Sequence, residues 1–384
     1  MIHGNKNRDI EALRAIGIIF VMIAHAYKLT PWQTPLDGSL HAIYYYFGWW
    51  TGVDLFFCVS GFIITSNIIN NIKDNNSKSQ LGFIAFAIPF WVKRIYRLWP
   101  SAWFWMTTMT ILSVIFNKSG VFGTPINQIL YQLYSMLNVA NFYGHECVVS
   151  SMGYKACGVY QVYWSLSLEE QFYLLFPFII YFLGKKKTLL LVLAIAAIQI
   201  PIDRGSSLLG FIRTDSICFG VAIGILATAS WYPAIKPNLL NNKITSSIVI
   251  FILSVALLLL GSYKTMTVGF STGMVAIVSG ILVWIASFNS SLICPKGILG
   301  SVVLWFGSRS YALYLSHIPA YYLVIEAAHR ILGGRYQSIQ HPTLTFISCG
   351  VVMAVILAEF SFRLIESPLR LFGRKKAASI KLPQ

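Results

Sequence analysis

Residues 163–183 read YWSLSLEEQFYLLFPFIIYFL. As a helix this stretch is about 31 Å long, enough to cross the hydrocarbon core of a bilayer. Its polar residues are not scattered. Ser165, Glu169 and Tyr173 recur at i, i+4 and i+8, which places them on one stripe of an otherwise apolar rod. Lipid has no hydrogen-bonding partner for such a stripe, so it must face other helices or a water-filled cavity. The segment therefore predicts an all-α integral membrane protein built as a bundle. For Glu170, beside the stripe, a solvated helix start is the simpler reading, because acids favour a first turn.

Composition agrees. The 384 residues are 56% hydrophobic and 11% charged, against about 25% charged in soluble domains, which excludes a soluble enzyme, a disordered chain and a secreted disulfide scaffold. Apolar segments fall near 15–30, 50–70, 97–116, 163–183, 188–203, 211–229, 244–262, 267–287, 310–328 and 342–363, a bundle of about ten spans. Residues 126–142 are amphipathic and read as interfacial or re-entrant; 298–306 is too short to cross and leads into the ninth span. An even count puts both termini on one side. With that side cytoplasmic, 21 of the 29 Lys+Arg are cytoplasmic, as the positive-inside rule requires. Membrane topology accounts for the formal charge of +16 better than nucleic-acid binding does. No cleavable signal peptide is expected. Residues 1–384 read as one membrane domain with a basic, solvated cytoplasmic tail at 364–384, leaving chemistry to the bundle or its mouth.

Other polar residues sit where polarity is costly. Arg14 and His25 lie eleven residues apart, on one face and about 16 Å apart along the axis. Histidine suits general-base work; a hydrogen-bonded structural histidine with a topogenic arginine fits equally. Asp54, in GVDLFFCVSGF (52–62), either orients His25 or pairs with an arginine. Lys93, Arg94 and Arg97 are placed to bind phosphate or to set topology. Ser310, Tyr314 and His317 share a face at i, i+4 and i+7, and Arg213 with Asp215 reads as an intramembrane ion pair. Cys58, Cys218 and Cys349 fall within spans, whereas Cys147 and Cys157 share the long outside loop, where a disulfide is expected. No metal-ligand spacing is present, so no metal is expected. On these grounds a polytopic transporter or exporter of a small molecule or lipid-linked sugar fits as well as an enzyme does.

The ordered set of motifs is more specific. IEALRA (10–15) with the R-x10-H spacing to His25, GVDLFF (52–57) with SGF (60–62), R-x-x-R (94–97) before Pro100, WSLSLEEQFY (164–173), SYxLYxxHxP (310–319) and FRLIExP (362–368) together resemble the acyltransferase family 3 membrane proteins. The resemblance runs nearly end to end. It implies a central polar pore in which acyl-CoA, here acetyl-CoA, donates from the cytoplasm. The acceptor it implies is a hydroxyl of an envelope glycan, such as O-antigen or another lipid-linked polysaccharide, on the outer side of a bacterial inner membrane. His25 becomes the catalytic base or a transiently acylated nucleophile, with Glu169 or Asp54 orienting it. Arg14, Lys93, Arg94, Arg97, Ser310, Tyr314 and His317 are assigned to the donor. Some members carry an additional extracytoplasmic esterase-like domain; here the form without it is expected.

Overall fold

The computed structural model describes residues 7–33, 40–72, 80–149, 159, 162–205 and 207–380. Among them there is no β-strand. Fifteen α-helices follow in order: α1 Arg8–His25, α2 His41–Tyr46, α3 Thr51–Ile72, α4 Gln80–Ile115, α5 Pro125–Met136, α6 Ala140–Val149, α7 Tyr163–Gln199, α8 Leu208–Phe211, α9 Asp215–Leu226, α10 Lys243–Leu260, α11 Ser271–Ser287, α12 Gly297–Ser308, α13 Ser310–Leu332, α14 Pro342–Ser361 and α15 Ser367–Ser379. Four helical stretches are long and apolar enough to cross a membrane: Arg8–Leu29, Thr51–Ile69, Leu208–Leu226 and Pro342–Ser379. Shorter apolar helices run over Ile244–Leu260, Ser271–Ser287 and Gly297–Ser308. α4, α7 and α13 have the length, but their apolar character is broken by polar side chains, some facing the interior, as Ser165 and His317 do, and others exposed, as Lys93, Lys186 and Arg330 are.

Large apolar side chains remain exposed on the outer helices, among them Ile298, Leu299, Ile331, Ile244, Phe251 and Leu190. So much exposed apolar surface suits a lipid boundary and would be a liability in water. Inside, α3 packs on α9 so closely that a Cβ on Gly220 would lie 2.0 Å from the Cys58 carbonyl oxygen, and one on Gly61 2.3 Å from that of Ile217. Small residues at such crossings let helices gain packing contacts that lipid itself does not provide.

Three elements differ from the sequence reading. The basic run 93–97 does not precede a span: it lies well inside α4, a helix of 36 residues carrying Pro89 and Pro100. The expected spans 163–183 and 188–203 are the two arms of α7, joined at Gly184 with φ 71° and ψ 172°, a conformation essentially reserved for glycine. The tail is not solvated throughout. α14 runs through a π-helical turn, Phe362–Glu366, into α15, and α15 packs on α4 through Gly373 and Phe372 against Tyr96. α5 carries the expected amphipathic pattern, exposing Ile126, Ile129, Leu130 and Leu133 while burying Gln128, Tyr131 and Ser135.

Candidate active site

α1 ends at His25, and a helix end leaves carbonyls without amide partners. Met22 O is met by the Tyr321 hydroxyl at 3.0 Å, and the Tyr44 hydroxyl donates at 2.7 Å to Ile23 O, which also accepts the Ala26 amide. The His25 ring is held next to them, with Nδ1 2.9 Å from Val21 O and 3.2 Å from Nε2 of His317. His317, on α13, is fully buried, and its Nδ1 lies 3.1 Å from Leu313 O.

These contacts fix both tautomers. A carbonyl oxygen only accepts, so each Nδ1 carries the proton. The single His25 Nδ1–H is then shared between Val21 O, at 2.9 Å, and the lone pair on His317 Nε2, at 3.2 Å. His25 Nε2 is left unprotonated, and no described residue hydrogen-bonds to it. A second-ring orienter of this kind is how an imidazole is kept ready as a base.

His25 lines a cavity of about 330 Å³ with Tyr27, Lys28, Trp50, Val53, Trp164, Arg213 and Tyr314. Asp54 is fully buried, and both its oxygens are taken by Arg213, whose Nε and Nη2 each donate at 3.0 Å. That guanidinium is sandwiched between Trp50 and Trp164, 5.1 and 4.8 Å from their ring centroids. Of the two roles open to Asp54, the arginine pair is the one built; the orienting contact to His25 comes from His317. Arg213 and Asp215 do not pair with each other. Asp215 instead accepts from Arg204 at 2.6 Å. Being two residues apart at the start of α9, they turn to different neighbours.

A second cavity, of about 80 Å³, adjoins the first through Val53 and Tyr314, which line both. The α7 stripe faces it: Ser165 and Tyr314 hydroxyls are 2.5 Å apart, Tyr173 and Ser60 hydroxyls 2.6 Å, and Glu169 sits between them along the helix. Ser310 also lines this space, its hydroxyl buried without a partner. Glu170 accepts from the Trp99 indole at 2.5 Å, so it is held in the bundle and not at a solvated helix start. Arg14, Ile63, Arg94 and Arg97 line both this cavity and a third, of about 790 Å³, which adds Lys93, Arg370 and Arg374.

Thus Arg14, Lys93, Arg94 and Arg97 gather at one end, Glu169, Ser310 and Tyr314 at the waist, and His25 at the other. His317 was grouped with the donor residues, but it lies against His25. Seven residues from Ser310 advance it about 10 Å along α13, past the waist. The sequence reading also missed Arg370 and Arg374, which only the fold of α15 brings to the mouth. Lys28 was missed too; it sits 5.3 and 5.6 Å from the ring centroids of Tyr27 and Tyr322. Cys147 is disulfide-bonded, while its expected partner Cys157 lies outside the described residues.

Residues 7–358 match the family described as an acyltransferase domain, acyltransferase family 3. The chain is 27% identical over 391 residues to the O-acetyltransferase OatA of Staphylococcus aureus, covering 96% of this chain and 58% of that one. It is 28% identical over 394 residues to the peptidoglycan O-acetyltransferase OatA of Listeria monocytogenes, with 95% and 56% covered. To the putative peptidoglycan O-acetyltransferase YrhL of Bacillus subtilis it is 25% identical over 358 residues, with 85% and 51% covered. It therefore spans just over half the length of these curated relatives. No solved structure matches it. Matched to the family over residues 7–358, this chain of apolar helices belongs to the acyltransferase family 3 membrane proteins.

Proposed function

We propose that this protein is an O-acetyltransferase that moves an acetyl group from cytoplasmic acetyl-CoA to a hydroxyl of a cell-envelope glycan on the outer side of the membrane. The observation that carries the reading is the file of three cavities with shared walls, basic at one end and holding the free His25 Nε2 at the other. The donor's phosphates meet Arg14, Lys93, Arg94 and Arg97. Its slender pantetheine arm then reaches through the waist. The acceptor enters the cavity that His25 shares with Trp50, Trp164 and the Arg213 guanidinium held between them. The printed names of two relatives specify peptidoglycan, which makes that polymer the first acceptor to assay, ahead of O-antigen or another lipid-linked polysaccharide.

In the reaction, His25 Nε2 removes the acceptor proton as the oxygen attacks the thioester carbon. The C–S bond then breaks, and the departing thiolate takes the proton back from the imidazolium. Proton transfer of this kind contributes about 10²- to 10⁴-fold. The topology that goes with it has ten spans in the cytoplasmic membrane, both termini cytoplasmic, and Cys147 paired with Cys157 outside.

The test is the O-acetyl content of envelope glycan in cells with the intact gene, without it, and with His25→Ala, alongside acetyl-CoA consumption by the purified protein. Loss of O-acetyl in the last two strains, with the variant protein still folded in the membrane, is the expected result. A folded His25→Ala protein with full transfer would remove the base from the mechanism.

A further inference from the structure

The widest cavity has six cations in its lining, Arg14, Lys93, Arg94, Arg97, Arg370 and Arg374, and one acid, Glu11. Glu11 is already occupied by Arg14 at 3.1 Å. Arg370 has a long contact, 3.9 Å, to the buried Glu366, whose single carboxylate also faces Arg97 and Arg14, so two acids stand against six cations. The Nε atoms of Arg97 and Arg370 are buried without any hydrogen-bond partner. Converging like charges with unmet donors are costly unless a polyanion joins them.

Two of the six cations come from α15. Arg370, Arg374 and Ala378 recur at i, i+4 and i+8 and line the cavity, while Gly373 and Ala377 are buried on the neighbouring stripe. The helix is held firmly. A Cβ on Gly373 would lie 2.4 Å from that of Tyr96, the Phe372 ring is 5.2 Å from the Tyr96 ring, and Lys376 Nζ is 3.2 Å from the Tyr96 hydroxyl. α15 is thus a fixed wall facing the R-x-x-R segment of α4, with Ala378 leaving room at the lip.

We propose that α15 forms one side of the acyl-donor site, with Arg370 and Arg374 binding phosphate groups of the acyl-CoA opposite Lys93, Arg94 and Arg97. The inference rests on the acyl-CoA reading above and extends it to a helix that sequence pattern alone leaves as a tail. The shared chemistry is a phosphate anion, which a lipid headgroup also offers, so the experiment has two lipid arms.

The full chain is reconstituted in nanodiscs of zwitterionic lipid or with added anionic lipid, and initial rates are measured against acetyl-CoA. In zwitterionic lipid, Arg370→Gln raises KM about tenfold and Arg374→Gln, more exposed, about threefold, with kcat within about twofold. Lys375→Gln, pointing away from the cavity, leaves both unchanged. Should the glutamine forms fail to fold, Arg370→Lys/Arg374→Lys decides, since it keeps charge and stem but loses the bidentate fork; a KM raised about threefold is then expected. A double variant with KM within twofold of wild type in zwitterionic lipid, or a defect confined to anionic nanodiscs, overturns the proposal while leaving the donor reading intact. A wild-type protein that neither binds nor consumes acetyl-CoA overturns both.

Discussion

A single hydrogen bond between two imidazoles separates a structural His25 from a catalytic one. Because Leu313 O takes the His317 Nδ1 proton, His317 Nε2 can only accept, sharing the His25 Nδ1–H with Val21 O, and its removal leaves the His25 ring held by Val21 O alone. His317→Ala is expected to lower kcat about 100-fold with little change in KM, as loss of a positioned base does. His317→Gln, whose amide oxygen can accept near the place of Nε2, is expected to recover part of that loss. Equal damage from both variants, in kcat and thermal stability alike, would mean that His317 only fills space. The R-x10-H spacing and the polar stripe of α13 were legible in sequence. Their meeting was not, because 292 residues separate the two rings and no local pattern encodes so distant a contact. Asp54 shows the same limit: its need for a cation was readable, the choice of Arg213 was not.

Apolar segments are read well from hydropathy, and most expected spans coincide with helices to within a few residues. What hydropathy misses is how a helix continues past its apolar part. α4 extends 17 residues before position 97, and the chain after α14 stays helical instead of ending as a tail. In α15 the extra length carries Arg370 and Arg374 on one side and packs Gly373 on Tyr96 of α4 on the other, a pattern that resembles a solvated loop, whereas residues 81–92 of α4 (LGFIAFAIPFWV) are apolar and were left out of the expected span at 97–116. Crossing geometry is equally hidden, since a glycine in an apolar run gives no sign of which backbone will approach it. Gly220 is the clearest case, with the Cys58 carbonyl in the place a methyl would occupy. Gly220→Ala must separate α3 from α9, and overpacking of this kind costs about 1–3 kcal/mol. A lowered thermal unfolding temperature in detergent, with transfer reduced because Asp54 on α3 and Arg213 at the head of α9 move apart, is the expected outcome. Unchanged unfolding and activity would show that the two helices have slack there.

At the scale of the whole bundle, function depends on a narrow passage between a charged vestibule and an aromatic one. The three cavities are about 790, 80 and 330 Å³ from the basic end to the His25 end, so on the proposed donor route the waist is the smallest volume that an acyl group has to pass. Val53 and Tyr314 form the boundary, lining both inner cavities, and Tyr314 is anchored by Ser165 and by Val162 O at 2.9 Å. On the proposed route this anchored waist is what positions the thioester, and misplacement by about 1 Å from a reacting partner costs on the order of 10²-fold. Val53→Trp fills the passage while leaving the cations of the mouth and the two histidines unsubstituted. It is expected to keep the wild-type affinity for CoA, measured by calorimetry in nanodiscs, while transfer falls at least about 100-fold. Binding and transfer lost together would place the donor deeper than the mouth. Transfer retained would mean that the acyl group reaches His25 by another route, since nothing larger than a methylene chain could pass an indole in a space of that size.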